Sequence, residues 1–209
     1  MPHPAVIFDA FGTLLHIRRP RHPYRRLLKL GQAQGRKPQA DDTRWLMQTP
    51  LSLEEAANAL GIDVSREQLS ALQQLLSDEL ASIEAYADGV QAVALLQDQG
   101  IRVAVCSNLA SPYCEAVQRL YPTLDAYAFS CELGMMKPDE AIYQATCERL
   151  ASPGETNWMV GDSQRCDRDG PRAFGLRGFF LDRHHGKGDY RELTAFAQDV
   201  LHALKQDAR

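Results

Sequence analysis

The feature that most constrains the fold is a short apolar run that ends in a single carboxylate. Residues 5–8 are Ala, Val, Ile and Phe, and they lead directly into Asp9, with Gly12 three residues further on. Four consecutive apolar residues predict a strand buried on both faces, as in a parallel sheet covered by helices, and Gly12 permits a sharp turn after it. Asp9 then lies at the carboxyl end of the strand, where open α/β sheets bind ligands, and is a candidate nucleophile. A turn-initiating aspartate is the alternative interpretation of this stretch alone.

Composition narrows the class of protein. The chain has 209 residues, 44% of them hydrophobic and 24% charged, which is enough for one substantial core and an additional module. Its formal net charge of −4 argues against nucleic acid or an anionic membrane as the main partner. No apolar stretch is long enough to span a bilayer, residues 1–4 do not resemble a signal peptide, and the five cysteines contain no C-x-x-C pair. We therefore expect a cytoplasmic protein.

Residues 16–85 differ from the segments on either side of them. They contain no strand-like run, and their apolar residues recur at helical spacing, which predicts about seventy residues of inserted helices. Helix starts and ends are predicted by two capping-box pairs and two glycines: Ser52 with Glu55, Ser65 with Gln68, Gly35 and Gly61. We expect a core domain made of residues 1–15 and 86–209 and a helical cap domain made of residues 16–85.

A basic run opens this insert. Eight basic residues fall within fourteen positions: His16, Arg18, Arg19, Arg21, His22, Arg25, Arg26 and Lys29. A charge run is commonly a solvated face, but this one follows Asp9 closely and is also suited to meet an anionic substrate. Both interpretations stay open at this point.

From residue 88 onward the pattern alternates between helix and strand. Asp88 is predicted to cap a helix, and further helices are predicted over residues 111–120 and 139–150. Apolar runs predict strands at residues 101–106, 127–131, 157–160 and 177–181. A first strand, a helical insert and then alternating helices and strands indicate an α/β protein with a parallel, doubly wound sheet.

Polar groups follow four of these strands. They are Asp9, Ser107 with Asn108, Lys137, and Asp162 with Asp167. Because strand ends in a parallel sheet converge, these groups provide the parts needed to hold and attack a phosphoryl group beside a divalent cation. We expect Asp9 and Asp162 to bind Mg²⁺, Lys137 to neutralise developing charge, and Ser107 to donate a hydrogen bond to a phosphate oxygen.

Four segments, residues 6–13, 105–108, 137–139 and 161–167, resemble in order the four motifs of the haloacid dehalogenase superfamily. The resemblance implies a Rossmann-like parallel sheet with helices on both faces, a small all-helical cap domain inserted after the first motif, and covalent catalysis through Asp9. It also implies a Mg²⁺ site that includes Asp162, Asp167 and the backbone carbonyl of Phe11. Asn108 and Thr13 are the candidate substrate-binding residues.

One position departs from the phosphatases of that superfamily. Their motif carries a second aspartate, which transfers protons, at the position of Phe11. Phenylalanine cannot transfer a proton, and the loss of such a group typically costs on the order of 10² to 10⁴ in rate. His16, His22 or another residue of the insert is a possible substitute. The segment around Phe11 is also similar to the first motif of the 2-haloacid dehalogenases, which have an aromatic residue there and use no metal.

Asp162 favours the metal-dependent branch, because a second carboxylate beside an attacking carboxylate would repel it in the absence of a cation. We therefore expect a Mg²⁺-dependent phosphatase that acts through an aspartyl-phosphate on a small, anionic, phosphorylated metabolite. A metal-free 2-haloacid dehalogenase-type hydrolase and a weakly active or non-catalytic phosphate-binding relative are the alternatives. A receiver-like phosphoacceptor uses similar residues, but a cap that closes over a small substrate argues against it.

Overall fold

The computed structural model describes residues 4–152 and 154–207. Residues 1–3, on which the signal-peptide interpretation partly rests, lie outside the described residues. The strands are β1 (Ala5–Phe8), β2 (Leu15–Ile17), β3 (Ile83–Ala85), β4 (Arg102–Ser107), β5 (Ala126–Phe129), β6 (Trp158–Gly161) and β7 (Arg177–Phe180). The α-helices are α1 (Pro23–Ala33), α2 (Asp42–Gln48), α3 (Leu53–Ala59), α4 (Arg66–Ala81), α5 (Ala87–Gln97), α6 (Cys114–Leu120), α7 (Ser130–Leu133), α8 (Glu140–Arg149), α9 (Gly170–Phe174) and α10 (Leu193–Asp207). A π-helical turn spans Gln164–Asp169.

Five strands form one parallel sheet in the order β5-β4-β1-β6-β7. Strand β1 lies at its centre, and its side chains alternate between two apolar clusters. Val6 and Phe8 pack into the cluster that includes residues of α5 and α10, whereas Ala5 and Ile7 pack into the cluster that includes residues of α8. Helices therefore cover both faces of the sheet, and the predicted α/β, Rossmann-like fold class is confirmed.

Helices α1 to α4 share a third apolar cluster, separate from the two that cover the sheet. Both predicted capping boxes are present, at the starts of α3 and α4, and Gly35 and Gly61 follow α1 and α3 with positive φ angles of 90° and 64°. The amphipathic stripes thus pack the inserted helices against one another, as their spacing predicts.

The prediction that residues 16–85 contain no strand is wrong at both ends of the segment. Strands β2 and β3 pair antiparallel, with His16 opposite Glu84, and connect the helices to the sheet. Each strand has only three residues, which is too short for an alternating pattern to be visible in the sequence. The two strands form where the chain leaves and re-enters the core.

Two other local predictions are corrected. Ser130 and Cys131, predicted as strand, belong to the short helix α7. Asp88 does not cap α5, because Tyr86 occupies the capping position and the Asp88 carboxylate instead accepts hydrogen bonds from Arg183 and from the backbone of Leu193. Among the helices of the described ranges, none combines the length and the hydrophobicity needed to cross a bilayer.

Candidate active site

The candidate site lies where the connections of the sheet change direction. The chain passes from β1 to β4 and β5 on one side and then returns to β6 and β7 on the other. Ligands of open α/β sheets bind at such a switch point, beyond the carboxyl ends of the central strands. Asp9 follows β1 and Asp162 follows β6, so the topology brings these two carboxylates together.

Asp9 is surrounded by donors from three other segments. Its Oδ1 accepts hydrogen bonds from Ser107 Oγ at 3.1 Å and from Lys137 Nζ at 2.8 Å. Among the described residues, only Thr13 Oγ1 contacts its Oδ2, at 3.4 Å. The residue is 7% exposed. One carboxylate oxygen is therefore fixed in place, while the other is the freer of the two and is the candidate attacking atom.

Lys137 is held on both sides. Its ammonium, on a residue only 2% exposed, contacts Asp9 and also Asp167 Oδ1, the latter at 2.6 Å. Burial acts to lower the pKa of Lys137, but the charges of Asp167 and Asp9 outweigh it and hold the pKa well above its usual value. The side-chain amide of Asn108 donates to the Lys137 carbonyl and accepts from the Lys137 N–H. Lys137 is thus a permanent positive charge at a fixed place beside the candidate nucleophile.

Three carboxylates form what we call the carboxylate cluster: Asp9, Asp162 and Asp167. Oxygens of all three lie within 4.8 Å of one another. Asp162 is exposed as a residue, yet its carboxylate faces the other two, and partial removal from water together with the charges of Asp9 and Asp167 raises its pKa to about 7. Burial likewise raises the pKa of Asp167 to about 6, in spite of the ammonium of Lys137. Negative charge is concentrated here beyond what Lys137 compensates.

The carboxylate cluster fits a hard cation. Within residues 4–152 and 154–207, no donor from another residue contacts the Asp162 carboxylate, and none contacts the Phe11 carbonyl. Mg²⁺ is bound by one or two carboxylates, with other oxygen ligands and several waters completing the octahedron. Asp167 is less available than the sequence predicts, because Oδ1 bonds Lys137 and Oδ2 accepts from the Ser163 N–H.

Two glycines allow these groups to approach closely. Gly12 has a φ of 85°, and a Cβ there would collide with the Asp162 carboxylate. A Cβ on Gly161 would collide with the Asp167 carboxylate and lie 2.7 Å from Asp9 Cβ. Side chains at either position would therefore push the carboxylate cluster apart.

We expect Gly161→Ala to lower the free energy of unfolding by about 1–3 kcal/mol, the usual cost of overpacking a buried site. Turnover should fall at least about tenfold, because small displacements of reacting groups are costly. Urea unfolding and an aryl phosphatase assay measure the two effects. Gly154→Ala is the matched control, since its Cβ would lie 3.4 Å from the Phe174 ring, an ordinary contact. Equal effects in the two variants would contradict the close-approach argument.

Thr13 and Asn108, the candidate substrate-binding residues, make contacts that position other groups. Thr13 is fully buried, and its hydroxyl donates towards Asp9 and accepts from the Asp162 N–H at 3.1 Å. Both polar atoms of the Asn108 side chain are used by the Lys137 backbone. Contact between either residue and a substrate stays a prediction.

Arg183 was not identified from the sequence, although it contacts the loop that follows Asp9. Its guanidinium donates to the carbonyls of Gly12 and Thr13, pairs with Asp88 at 2.9 Å, and lies 4.0 Å from the centre of the Tyr86 ring. The only available signal was its position just after β7, the strand at the edge of the sheet. Arg183 therefore connects the far side of the sheet to the loop that orients Asp9.

Phe11 lines a cavity of about 550 Å³ between the inserted helices and the loop after β4. Its ring packs edge-on against the Tyr113 ring, with 5.8 Å between centroids. Of the two candidate substitutes for the missing proton-transfer group, His22 lines this cavity, whereas His16 lies on β2 against the Tyr86 ring. The position of a proton carrier in the phosphatases is thus part of an apolar wall.

Comparison with known proteins gives a consistent result. The family model for haloacid dehalogenase-like hydrolases matches residues 3–175, and no curated protein matches significantly. A haloacid dehalogenase phosphatase from Thermococcus onnurineus is 20% identical, with a TM-score of 0.66 over 94% of this chain and 97% of that one. An enzyme of the same family from Bacteroides thetaiotaomicron, in complex with magnesium and inorganic phosphate, is 16% identical, with a TM-score of 0.63 over 90% and 98% of the two chains. An L-2-haloacid dehalogenase is 19% identical, with a TM-score of 0.60 over 96% and 99%. At these identities the structures share the fold with this chain.

Proposed function

Because this chain belongs to the haloacid dehalogenase-like hydrolase family, we propose that it is a Mg²⁺-dependent phosphatase acting on a small phosphorylated metabolite. The observation that carries the proposal is the Asp162 carboxylate, which lies beside Asp9 without a hydrogen-bond donor from any other described residue. A bound divalent cation would remove the repulsion between these carboxylates. The magnesium and phosphate complex of the Bacteroides relative supports the same choice.

The reaction would proceed in two displacements at phosphorus. Asp9 Oδ2, the freer carboxylate oxygen, attacks the phosphoryl group, the bond to the leaving oxygen breaks, and an aspartyl-phosphate forms on Asp9. Water then attacks the phosphorus of this intermediate, which releases inorganic phosphate and restores the carboxylate. Lys137 and Ser107 hold Asp9 Oδ1 throughout and stabilise the charge that develops next to it.

Mg²⁺ held by Asp9, Asp162 and the Phe11 carbonyl, with Asp167 nearby, would screen the phosphoryl charge from the attacking carboxylate. The three side chains and the close approach at Gly12 are compatible with that group. The Thr13 hydroxyl bonds both Asp9 and the Asp162 backbone, and so holds these two candidate metal ligands in position. Residues 16–85 act, in this proposal, as a cap that covers the substrate and excludes water.

The leaving group must depart without a carboxylic acid at position 11. Phe11 offers no proton, and the wall around it is mostly apolar. Substrates whose leaving groups are stable as anions, such as aryl or enol oxygens, suit this site better than simple alkyl esters. His22, which lines the cavity, is the residue of the insert best placed to assist.

A metal-free hydrolase of the 2-haloacid dehalogenase type is the second candidate. Phe11 favours it, since an aromatic residue at this position and an apolar cavity suit a substrate without a phosphate. The Asp162 carboxylate opposes it, because without a cation two adjacent carboxylates weaken the nucleophile. The carboxylate cluster is therefore the feature that separates the two functions.

An assay with p-nitrophenyl phosphate tests the proposal. We expect turnover with Mg²⁺ and a loss of at least about 100-fold in EDTA, since the metal supplies charge neutralisation that no side chain replaces. The same protein should release no halide from 2-chloropropionate, with or without metal. Halide release in EDTA would contradict the phosphatase assignment, and phosphate binding without any turnover would support the non-catalytic alternative.

A further inference from the structure

The apolar cavity, as we call the 550 Å³ space next to Phe11, borders the candidate active site. Phe11 is two residues from Asp9, and Asn108 holds the backbone of Lys137; both residues line the cavity. A molecule with a phosphoryl group at the carboxylate cluster would therefore extend its leaving group into this space. A cavity of this size can hold a leaving group with an aromatic ring or a comparable apolar body.

Apolar side chains line most of the cavity. Leu28, Leu46, Met47 and Leu109 contribute to its walls. The polar groups of its tyrosines are engaged elsewhere: the Tyr24 hydroxyl donates to the Leu51 carbonyl, and the Tyr113 hydroxyl donates to Glu79.

Glu79 is a buried carboxylate on the same wall. It also accepts hydrogen bonds from the backbone N–H groups of Arg21 and His22, in addition to the Tyr113 hydroxyl. Its hydrogen-bonding capacity is largely used, so it does not compete for a polar ligand group. These contacts instead fix the start of α1 beside the cavity.

Positive charge lies on one side of the apolar cavity. Five side chains, which we call the basic rim, line an adjoining hollow of about 320 Å³: Arg21, His22, Arg25, Arg26 and Lys29. His22 and Arg25 line both the hollow and the apolar cavity. Within the described part of the chain, none of the five forms an ion pair with a carboxylate, and the Arg26 side chain donates only to the Arg21 carbonyl. A solvated basic face alone would not need to share two residues with the cavity.

From this arrangement we propose, on the basis of the phosphatase function above, that the substrate carries an apolar leaving group with a second anionic group at its far end. The phosphoryl group lies at the carboxylate cluster, the apolar body fills the cavity, and the second anion, a carboxylate or a phosphate, meets Arg25 at the basic rim. With Mg²⁺ held by the carboxylate cluster, opposite charges would meet at both ends of such a ligand, and its apolar middle would be removed from water. Simple phosphorylated polyols match only one of the three parts.

Four esters test the proposal: 4-carboxyphenyl phosphate, its neutral isostere 4-carbamoylphenyl phosphate, 1,4-phenylene bisphosphate and glycerol 2-phosphate. We expect kcat/KM for the carboxyphenyl ester to exceed that for the carbamoyl ester about fivefold, the upper range for an ion pair with an exposed arginine. The bisphosphate carries a second phosphate where the carboxyphenyl ester carries its carboxylate, so a comparison of the two kcat/KM values shows which anion the basic rim prefers. Glycerol 2-phosphate should be the poorest of the four.

The preference should depend on Arg25. In Arg25→Glu the ratio of kcat/KM between the carboxyphenyl and carbamoyl esters should fall to about one or below. Arg66→Glu is the matched control, because Arg66 is exposed at the start of α4 and lines neither space. High salt should reduce the preference of the unmodified protein, since it screens exposed charges.

Binding to Asp9→Asn in Mg²⁺, measured by calorimetry with the same pair of esters, separates this inference from the phosphatase proposal. Tighter binding of the carboxyphenyl ester would support the inference even if the unmodified protein hydrolysed none of the esters. Tighter binding without hydrolysis would overturn only the phosphatase proposal. Equal affinity for the two esters would overturn the inference, and so would a loss of preference in Arg66→Glu as large as that in Arg25→Glu. In either case, turnover of any ester would still support the phosphatase proposal.

Discussion

Asp9→Asn is expected to lower kcat for p-nitrophenyl phosphate by at least about 10⁴-fold, because the amide removes the attacking carboxylate from a covalent mechanism. Asparagine has nearly the same shape, and its amide oxygen can still accept from Lys137 and Ser107. The fold should therefore persist. The loss should appear in kcat, since the substituted group acts in the chemical step rather than in binding alone.

Steady-state kinetics and a thermal unfolding curve of the Asp9→Asn variant give the two readouts. Asp98→Asn is the control, because Asp98 is exposed at the end of α5 and is not one of the residues of the site, and its kcat should stay within about twofold of the unmodified protein. Residual activity above about one per cent in Asp9→Asn, with a folded protein, would show that Asp9 is not the nucleophile.

Phe11→Asp is expected to raise kcat for alkyl phosphates by about 10²-fold, because it supplies the acid–base group that this position otherwise lacks. Position 11 is partly buried and lines the cavity, so a carboxyl there faces the space that holds the leaving group. An aryl ester should gain less, since its leaving group departs without a proton. The variant therefore flattens the dependence of rate on the pKa of the leaving alcohol.

Phe11→Asn is the matched control, because asparagine is similar to aspartate in size and polarity but has no carboxyl group to transfer a proton. It should lose the contact with the Tyr113 ring without gaining activity. A series of phosphate esters with graded leaving-group pKa, run on all three proteins, measures the change in slope. An unchanged slope in Phe11→Asp would show that another residue already transfers the proton.

Patterns within one segment predict most of the fold. The apolar run 5–8 correctly indicates a strand buried on both faces, because its alternate residues contact two different clusters. The capping boxes and glycines of the insert correctly indicate where α1, α3 and α4 begin or end. These features are local, and local propensities leave a direct trace in the sequence. The three-residue strands β2 and β3 exist through pairing between distant segments and leave none.

The candidate site is predictable in its members but not in their partners. Convergent strand ends correctly place Asp9, Ser107, Lys137 and Asp162 near one another, because topology alone determines that. Three other contacts depend on side-chain geometry and leave no pattern in the sequence. They are the hydrogen bonds of Thr13, those of Asn108 to the Lys137 backbone, and those of Arg183 to the loop after Asp9. The basic run illustrates the same limit: its charge is visible in the sequence, whereas its junction with an apolar cavity is not.

The covalent intermediate distinguishes the proposed mechanism from its alternatives. Mass spectrometry of the peptide that contains Asp9, after acid quenching during turnover of p-nitrophenyl phosphate in Mg²⁺, should find a phosphoryl group on Asp9. The modification should be absent in EDTA and in Asp9→Asn. Continued release of p-nitrophenol with Asp9 unmodified at every quench time, or an ester formed on Asp9 from a 2-haloacid without metal, would contradict a Mg²⁺-dependent aspartyl-phosphate mechanism.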